Sequence, residues 1–452
     1  ELCVFCECDV LMGRGHGVVP DDDILIRGDI GRLRREKLAR IPTEALKTQI
    51  ERVIARECPQ AARYPSPSDV WSRRWAWVKG GAQSRGIATT LGVTLPRRRL
   101  TRRDLVEVVK DNLIAYGSPR VVASFSQKLE HGKRRALYSC DTISYCTFHY
   151  LLDPVERLWK NERVLLDPGR HSTIETCARV SEQLPKWCLS LDFTDFNSQH
   201  TTEAMQEVIR VACSNAPQHI VNWGVKSFEN VVIKSHLAPV RVRGTLMSGH
   251  RATAFINSVL NAAYIAYLLG DSYCRVDSWH CGDDVILSCA EAEPLQRLLH
   301  SCLRGIVRIN PAKQSLGRRG GEFLRTGIGP KRACGYLARS VASAVSGSWD
   351  NDKPLSDREK IAGVCSHLWT LCQRSGDLTI NSLLVSTIQR HFPALRTWAR
   401  MVANLECSID NSPVLRCLGR RIITLNGVYS RVRPPEALDR PCYATQEFLD
   451  KH

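Results

Sequence analysis

The sequence has no long hydrophobic run. Its longest apolar stretch, over residues 260–269, is broken by Asn261 and falls far short of the ~20 residues that span a bilayer. No strongly amphipathic basic helix is evident, so no membrane partner is expected. There is no secretory leader and no Asn-x-Ser/Thr acceptor anywhere in the chain. Nineteen cysteines in 452 residues are too sparse for a disulfide scaffold, which leaves reduced thiols in a cytosolic setting. No repeat period or low-complexity tract is present, and solenoids are thereby excluded. Acidic residues are also short. Asp and Glu number 46 against 63 Lys and Arg, a net charge of +17 at pH 7. That surplus suits a polyanionic partner, although a merely soluble basic protein would show it too.

What is present is ordinary globular material. The chain is 43% hydrophobic and 24% charged, which excludes wholesale disorder, and its length suggests roughly three domains or lobes. Residues 1 to about 125 are basic, with leucine spacings over 33–46 and 105–113 that suit amphipathic helices. Pro65, Pro67 and Gly80-Gly81 break them up. Arg97, Arg98, Arg99, Arg102 and Arg103 form the densest positive run, either a solvated face or a phosphate contact. Cys3, Cys6 and Cys8 with His16 could ligate zinc, but no second Cys-x-x-Cys answers them. Strand-like and helical segments mix from about 126 to 330, and the remainder is expected to be mainly helical.

The chemistry concentrates in the middle. Gly282-Asp283-Asp284 lies between a strand-like stretch over 273–279 and the β-branched run over 285–289, so two carboxylates are expected at the tip of a hairpin. Upstream, residues 187–191 form an apolar strand that ends on Asp192, with Asp195 and Asn197 following. Acids at neighbouring strand ends can converge on hard cations such as Mg²⁺. Asp192 could equally cap a helix starting near Thr201 or simply end its strand, and Asp195 faces a different side. Between the acid sites, a loop bearing Gly244, Ser248 and Gly249 enters a helix on which Thr253, Asn257 and Asn261 form one polar stripe. The stripe is either a wet face or a ligand face, and in the second case it suits a ribose hydroxyl. Lys133, Arg134 and Arg135 beside Gly132 can meet triphosphate oxygens, with Lys128 and Glu130 close by. Lys313 and the 320–325 stretch, taken singly, read as basic surface loops.

Taken in order, these segments resemble the motifs of viral RNA-dependent RNA polymerases. The stretch from Asp192 through Phe196, Asn197, Ser198, Gln199 and His200 is especially similar to totivirus-like enzymes of double-stranded RNA viruses. The resemblance covers about 128 to 325, less than half the chain. It implies an α+β right-handed polymerase fold with an antiparallel-sheet palm and helix-rich fingers and thumb. The implied division is an N-terminal region and fingers over 1–185, palm over 186–202, a fingers insertion over 203–243, palm again over 244–330 and thumb over 331–452.

The same resemblance implies two-metal nucleotidyl transfer, with Mg²⁺ or Mn²⁺ on Asp192, Asp283 and Asp284. Lys133 and Arg135 would clamp the triphosphate. Ser248 and Gly249 would lie in the flexible loop that meets template and nucleotide. Asn197, Thr253 and Asn257 would distinguish NTP from dNTP, and Lys313 would serve as general acid near the pyrophosphate. Residues 322–325 resemble the hairpin that holds a priming nucleotide or 3′ end. RNA template and product, NTPs and a viral capsid protein are the implied partners, in host cytoplasm inside a viral particle. The opening Glu1 in place of Met suits part of a larger product, such as a capsid–polymerase fusion. Two rivals stand beside this reading. One is a reverse transcriptase, against which Cys281 stands where an aromatic residue would be expected. The other is an RNA-binding protein with a decayed palm, against which every metal and phosphate position remains chemically competent.

Overall fold

A computed structural model describes Asp29, residues 38–81, 91–93, 101–130, 133–166, 173–182, 186–234, 239–318, 320–346 and 357–375, and short pieces between 382 and 424. The Cys3, Cys6, Cys8 and His16 cluster and the Arg97–Arg99 part of the basic run lie outside the described residues.

Among the described residues, helices open the chain and predominate after residue 336, three sheets lie between, and a two-stranded parallel pairing of residues 407–408 with 423–424 comes last. Helix α1, Thr43–Glu57, turns Leu46, Ile50, Val53 and Ile54 inward. Helix α2, Arg102–Val108, opens on a capping box in which Thr101 and Asp104 satisfy each other's backbone N–H. It stops at Val108, so the helical spacing expected over 105–113 does not run its length. Arg102 is not solvated. Its guanidinium sits 3.9 Å from the Tyr145 ring centroid and donates to the Cys140 carbonyl at 3.1 Å.

Strands β1, Val121–Glu130, and β2, Lys133–Cys140, form an antiparallel hairpin. Helix α3, Thr142–Leu158, follows, capped by Asp141, and then α4, Thr173–Glu182. Strand β3, Trp187–Leu191, leads through a 3₁₀ turn into α5, Thr202–Ala212, and α6, Gln218–Ser227. Strands β4, Val231–Lys234, and β5, Val240–Val242, return to the first hairpin, giving the order β2-β1-β4-β5 with β1 and β4 parallel. The 203–243 segment thus shares a sheet with strands from the N-terminal third.

Helix α7, Thr253–Leu269, is apolar on every side except at Asn257, Ser258 and Asn261, and it is buried accordingly. It ends at Gly270, whose φ of 52° is the left-handed conformation glycine adopts freely. By length and composition Thr253–Arg275 would suffice to cross a membrane, yet 72% of its apolar window is buried inside the protein. There it packs on α1, α5 and the next strand. Counting only unbroken apolar residues hid this length from the sequence reading.

Strand β6, Asp277–Cys281, starts later than the 273–279 stretch expected, because residues 270–275 form a 3₁₀ turn. With β7, Asp284–Cys289, and β8, Ser315–Gly317, it completes the antiparallel sheet β6-β7-β3-β8. Helix α8, Glu293–Leu303, covers part of it. Strands β9, Gly321–Phe323, β10, Thr326–Gly329, and β11, Arg332–Gly335, make a meander that runs across residue 331. Helices α9, Leu337–Ser346, and α10, Asp357–Ser375, follow. The described cysteines are free thiols.

Candidate active site

The register of the central sheet brings the acids together. The last paired rung between β3 and β7 joins Leu191 to Val285. One step further, Asp192 leaves β3 at the level where Asp284 begins β7. Asp283 sits in the two-residue turn closing β6 on β7, where Cys281 pairs with Asp284. Gly282 takes φ 61° at the first turn position, the conformation a tight hairpin of this kind asks of glycine. The hairpin expected from sequence is therefore present. Desolvation of the carboxyl by the surrounding protein, and then the charges of Asp283, Asp192 and Glu322, push Asp284 up to about 6, with Arg325 opposing. Asp195 is a local hydrogen-bonder: its φ is 49°, and Ser198 Oγ lies 2.8 Å from both its carbonyl and its Oδ2. Thr201 caps α5, accepting from the Ala204 N–H at 3.0 Å, so Asp192 does not serve as that cap.

Helix α7 holds the acidic turn from below. Asn261 Nδ2 donates to the carbonyls of Gly282 and Asp284 at 3.1 and 3.2 Å, and Ser258 Oγ accepts the Gly282 N–H at 2.7 Å. Asn261 Oδ1 lies 2.9 Å from His280 Nδ1, and His280 Nε2 lies 2.9 Å from Ser278 Oγ. Burial pushes the His280 pKa well below its usual value, so the ring is neutral. The lower end of the polar stripe is thus a clamp on backbone. Thr253 is similarly engaged, its Oγ1 lying 2.8 and 2.9 Å from the His250 and Met247 carbonyls. Asn257 is the one of the three that bonds to the side chain of another candidate residue, donating from Nδ2 to Asn197 Oδ1 at 2.7 Å.

The loop before α7 is seated on strand β2. Ser248 Oγ accepts the Tyr138 N–H at 3.1 Å, and the Gly249 N–H donates to the Tyr138 carbonyl at 2.9 Å. A Cβ on Gly249 would stand 2.6 Å from that carbonyl oxygen and 2.9 Å from Ser139 Cα. Met247 is buried in the core of the β2-β1-β4-β5 sheet. On the other side, the Leu246 N–H bonds the Asn197 carbonyl and the Thr245 N–H bonds the His200 carbonyl, at 2.9 and 3.1 Å. One loop therefore ties the basic strand to the segment after Asp192. Arg135 on β2 is exposed and pairs across the hairpin with Lys128, while Lys133 pairs with Glu130.

Lys313 reaches the acids directly, its Nζ 3.1 Å from Asp192 Oδ2. Sequence reasoning missed Gln314 beside it, which brackets the Asp192 backbone, and Gln199, whose amide bonds Thr194 and Arg308 carbonyls at 2.8 and 2.9 Å. Neither carries a signal in sequence beyond its place next to a candidate. The 320–325 stretch forms β9 and the β9–β10 turn, with Leu324 and Arg325 at φ 50° and 60°. A Cβ on Gly321 would meet Ser190 Oγ at 2.8 Å and Cys188 Sγ at 2.9 Å, so glycine lets this hairpin lie against β3. A cavity of about 940 Å³ is lined by residues such as Trp77, His149 and Arg157 and by none of the candidates.

Among the described residues no group of three or more His, Cys, Asp or Glu side chains closes on a metal ion. The donor chemistry nevertheless suits a hard divalent cation. The carboxylates that raise the Asp284 pKa carry excess negative charge, and Mg²⁺ takes one or two carboxylates and completes its shell with phosphates and water.

Comparisons with known proteins bear on the family and the fold. Residues 4–349 match the family model described as viral RNA-directed RNA-polymerase. A "probable RNA-directed RNA polymerase" of Helminthosporium victoriae virus-190S is 41% identical over 403 residues, covering 86% of this chain and 47% of the relative. Its counterpart from Leishmania RNA virus 1 - 1 is 35% identical over 367 residues, covering 78% of this chain and 41% of the relative. The chain thus spans less than half the length of these curated relatives. The crystal structure of the RNA-dependent RNA polymerase of a human picorbirnavirus superposes with a TM-score of 0.60 at 12% identity, over 85% of this chain and 79% of that one. That likeness shows the fold, a mixed helix-and-sheet polymerase fold. The chain belongs to the viral RNA-directed RNA polymerase family.

Proposed function

We propose that this chain carries the catalytic centre of an RNA-dependent RNA polymerase that copies an RNA template from NTPs by two-metal nucleotidyl transfer. The observation that carries the reading is the convergence of Asp192, Asp283 and Asp284 at one edge of a four-stranded antiparallel sheet. In this reading that sheet is the palm, the β2-β1-β4-β5 sheet with its helices belongs to the fingers, and the helices after the meander form the thumb.

Asp192 and Asp283 would hold two Mg²⁺ ions, for which Mn²⁺ can substitute, and Asp284 would assist. The ions, when bound, would activate a terminal 3′-hydroxyl and stabilise the charge on the reacting phosphates. Lys133 and Arg135 neutralise the triphosphate from strand β2, and the Ser248-Gly249 loop keeps that strand in register with the acids. Asn197, Thr253 and Asn257 select the sugar. For Thr253 this acts through the loop, because its hydroxyl is spent on the Met247 and His250 carbonyls. Lys313, resting on Asp192 here, is the group that protonates the departing pyrophosphate.

Replication and transcription of a viral, double-stranded RNA genome, in host cytoplasm within a particle and in contact with capsid protein, is the biological setting we infer from the relatives. The test is labelled NTP incorporation on a single-stranded RNA template with Mg²⁺ or Mn²⁺, wild type beside Asp283→Ala. Template-length product from wild type alone is expected, with RNA binding retained in both. Equal synthesis by the variant overturns the assignment.

A further inference from the structure

A chain of buried hydrogen bonds runs from helix α7 to the candidate sugar-selecting pair. Tyr264 OH lies 3.0 Å from His200 Nδ1, His200 Nε2 lies 2.9 Å from Asn257 Oδ1, and Asn257 Nδ2 lies 2.7 Å from Asn197 Oδ1. Tyr264 and His200 are fully buried and Asn257 nearly so. The chain can in principle run in either direction, because an imidazole and two amides each have a donor end and an acceptor end.

One direction satisfies every member. His200 Nδ1 is the partner found for the Tyr264 hydroxyl among the described residues, so the phenol must donate to it or bury its proton unpaired. Burial pushes the His200 pKa down to about 4, so the ring is neutral and carries its one proton on the other nitrogen, Nε2. Nε2–H then donates to Asn257 Oδ1. Asn257 is left with its NH₂ toward Asn197, whose carbonyl oxygen accepts. The opposite direction would flip both amides and strand the Tyr264 proton. Asn197 ends the chain with its own NH₂ group outside it. Asn197 is half-buried and that group is not among the buried polar atoms lacking a partner, so it is open to solvent.

We propose that Tyr264 and His200 are positioning residues that fix the Asn197 and Asn257 amides so that the site meets the nucleotide's 2′ position with N–H donors, recognising a 2′-hydroxyl as an acceptor. The proposal rests on the reading that this pair faces the sugar, and it adds a polarity to that reading. A donor-lined site takes a 2′-hydroxyl best, tolerates 2′-fluorine, which only accepts, and gains nothing from 2′-hydrogen. An acceptor-lined site would repel fluorine instead.

The experiment compares incorporation of ribo-, 2′-fluoro- and 2′-deoxynucleoside triphosphates by the full chain, as ratios within each preparation. Ratios cancel any loss of folded enzyme, which a merely structural defect would produce. Wild type should prefer ribo over fluoro over deoxy. Asn197→Asp, which can only accept, should drop fluoro to or below deoxy. Tyr264→Phe and His200→Gln should each lower the ribo-to-deoxy ratio by roughly three- to tenfold, the worth of one oriented hydrogen bond. Unchanged ratios in both, while Asn197→Ala does alter selection, overturn the positioning role and leave the sugar reading standing. Unchanged ratios in Asn197→Ala and Asn257→Ala overturn the sugar reading, and this proposal with it.

Discussion

Gln314 holds the backbone of Asp192 from both sides. Its Oε1 accepts the Asp192 N–H at 3.2 Å, and its Nε2 donates to the Asp192 carbonyl at 2.9 Å and to the Asn310 carbonyl at 2.6 Å. The Asn310 N–H closes the arrangement on the same Asp192 carbonyl at 2.9 Å. Asp192 lies just past the last rung between β3 and β7, and its chain continues through a single antiparallel bridge from Phe193 to Ile309. The Gln314 amide adds a side-chain rung to that pairing and is the partner of the Asp192 N–H.

Gln314→Leu should therefore lower kcat without comparable loss of RNA binding. Removing the bracket lets the Asp192 carboxylate shift relative to Asp283, and a misplacement of about 1 Å costs on the order of a hundredfold. Single-turnover extension at saturating NTP reads this directly. A wild-type rate would mean that the strand pairing and the Asn310 N–H are enough to keep Asp192 in place.

Much of the acid site was legible in the sequence because it is local. Gly282 at a tight turn, between a strand-like stretch and the β-branched apolar run over 285–289, specifies a hairpin with carboxylates at its tip. The register that sets Asp192 beside Asp284 was legible only as a tendency of strand ends to converge, since pairing between residues almost a hundred apart depends on the whole sheet. The polar stripe on α7 misled in part. Its spacing is real, but Asn261 faces the backbone of the acidic turn and Thr253 faces its own loop, and periodicity cannot tell a ligand from a carbonyl. Arg102 shows the same limit for charge, since a cation in a basic run lies buried over Tyr145. Gly249 and Gly321 gave no sign of what approaches them, because close backbone contact leaves no pattern along the chain.

Stability should fall as the solution is acidified from neutral. His149, His200, His250 and His280 are all buried, and burial lowers the pKa of each from 6.5, to about 4 for His200 and about 3 for His149 and His250. Between those values and 6.5 the unfolded chain binds protons that the folded chain does not, so unfolding is favoured as pH drops through this window. Each histidine steepens the dependence by about 1.4 kcal/mol per pH unit. His149 is the informative one to replace, because it stacks on Trp77 at 4.3 Å and lies on the wall of the separate cavity. Urea unfolding of His149→Gln at pH 5 to 6 should show a slope shallower by about that amount. An unaltered slope would mean that folded His149 takes up its proton.

The contact between Gly249 and strand β2 makes the sharpest structural prediction. The atoms a Cβ would strike, the Tyr138 carbonyl oxygen and Ser139 Cα, belong to a strand paired on its other side with β1, so they cannot move independently. In Gly249→Ala the loop must lift instead, breaking the Gly249 N–H to Tyr138 bond and the Ser248 Oγ contact together. Overpacking of this kind costs about 1–3 kcal/mol. The functional effect should be larger than the stability effect suggests, because the same loop aligns Arg135 with the segment after Asp192. KM for NTP should rise more than kcat falls, as the triphosphate contacts drift from the acids. Ser248→Ala is the control: it deletes one exposed acceptor, leaves the glycine contact intact and should cost about 1 kcal/mol or less. Steady-state kinetics on both variants separate the two effects. Near-native KM and stability in Gly249→Ala would show that the loop stands off β2 in solution.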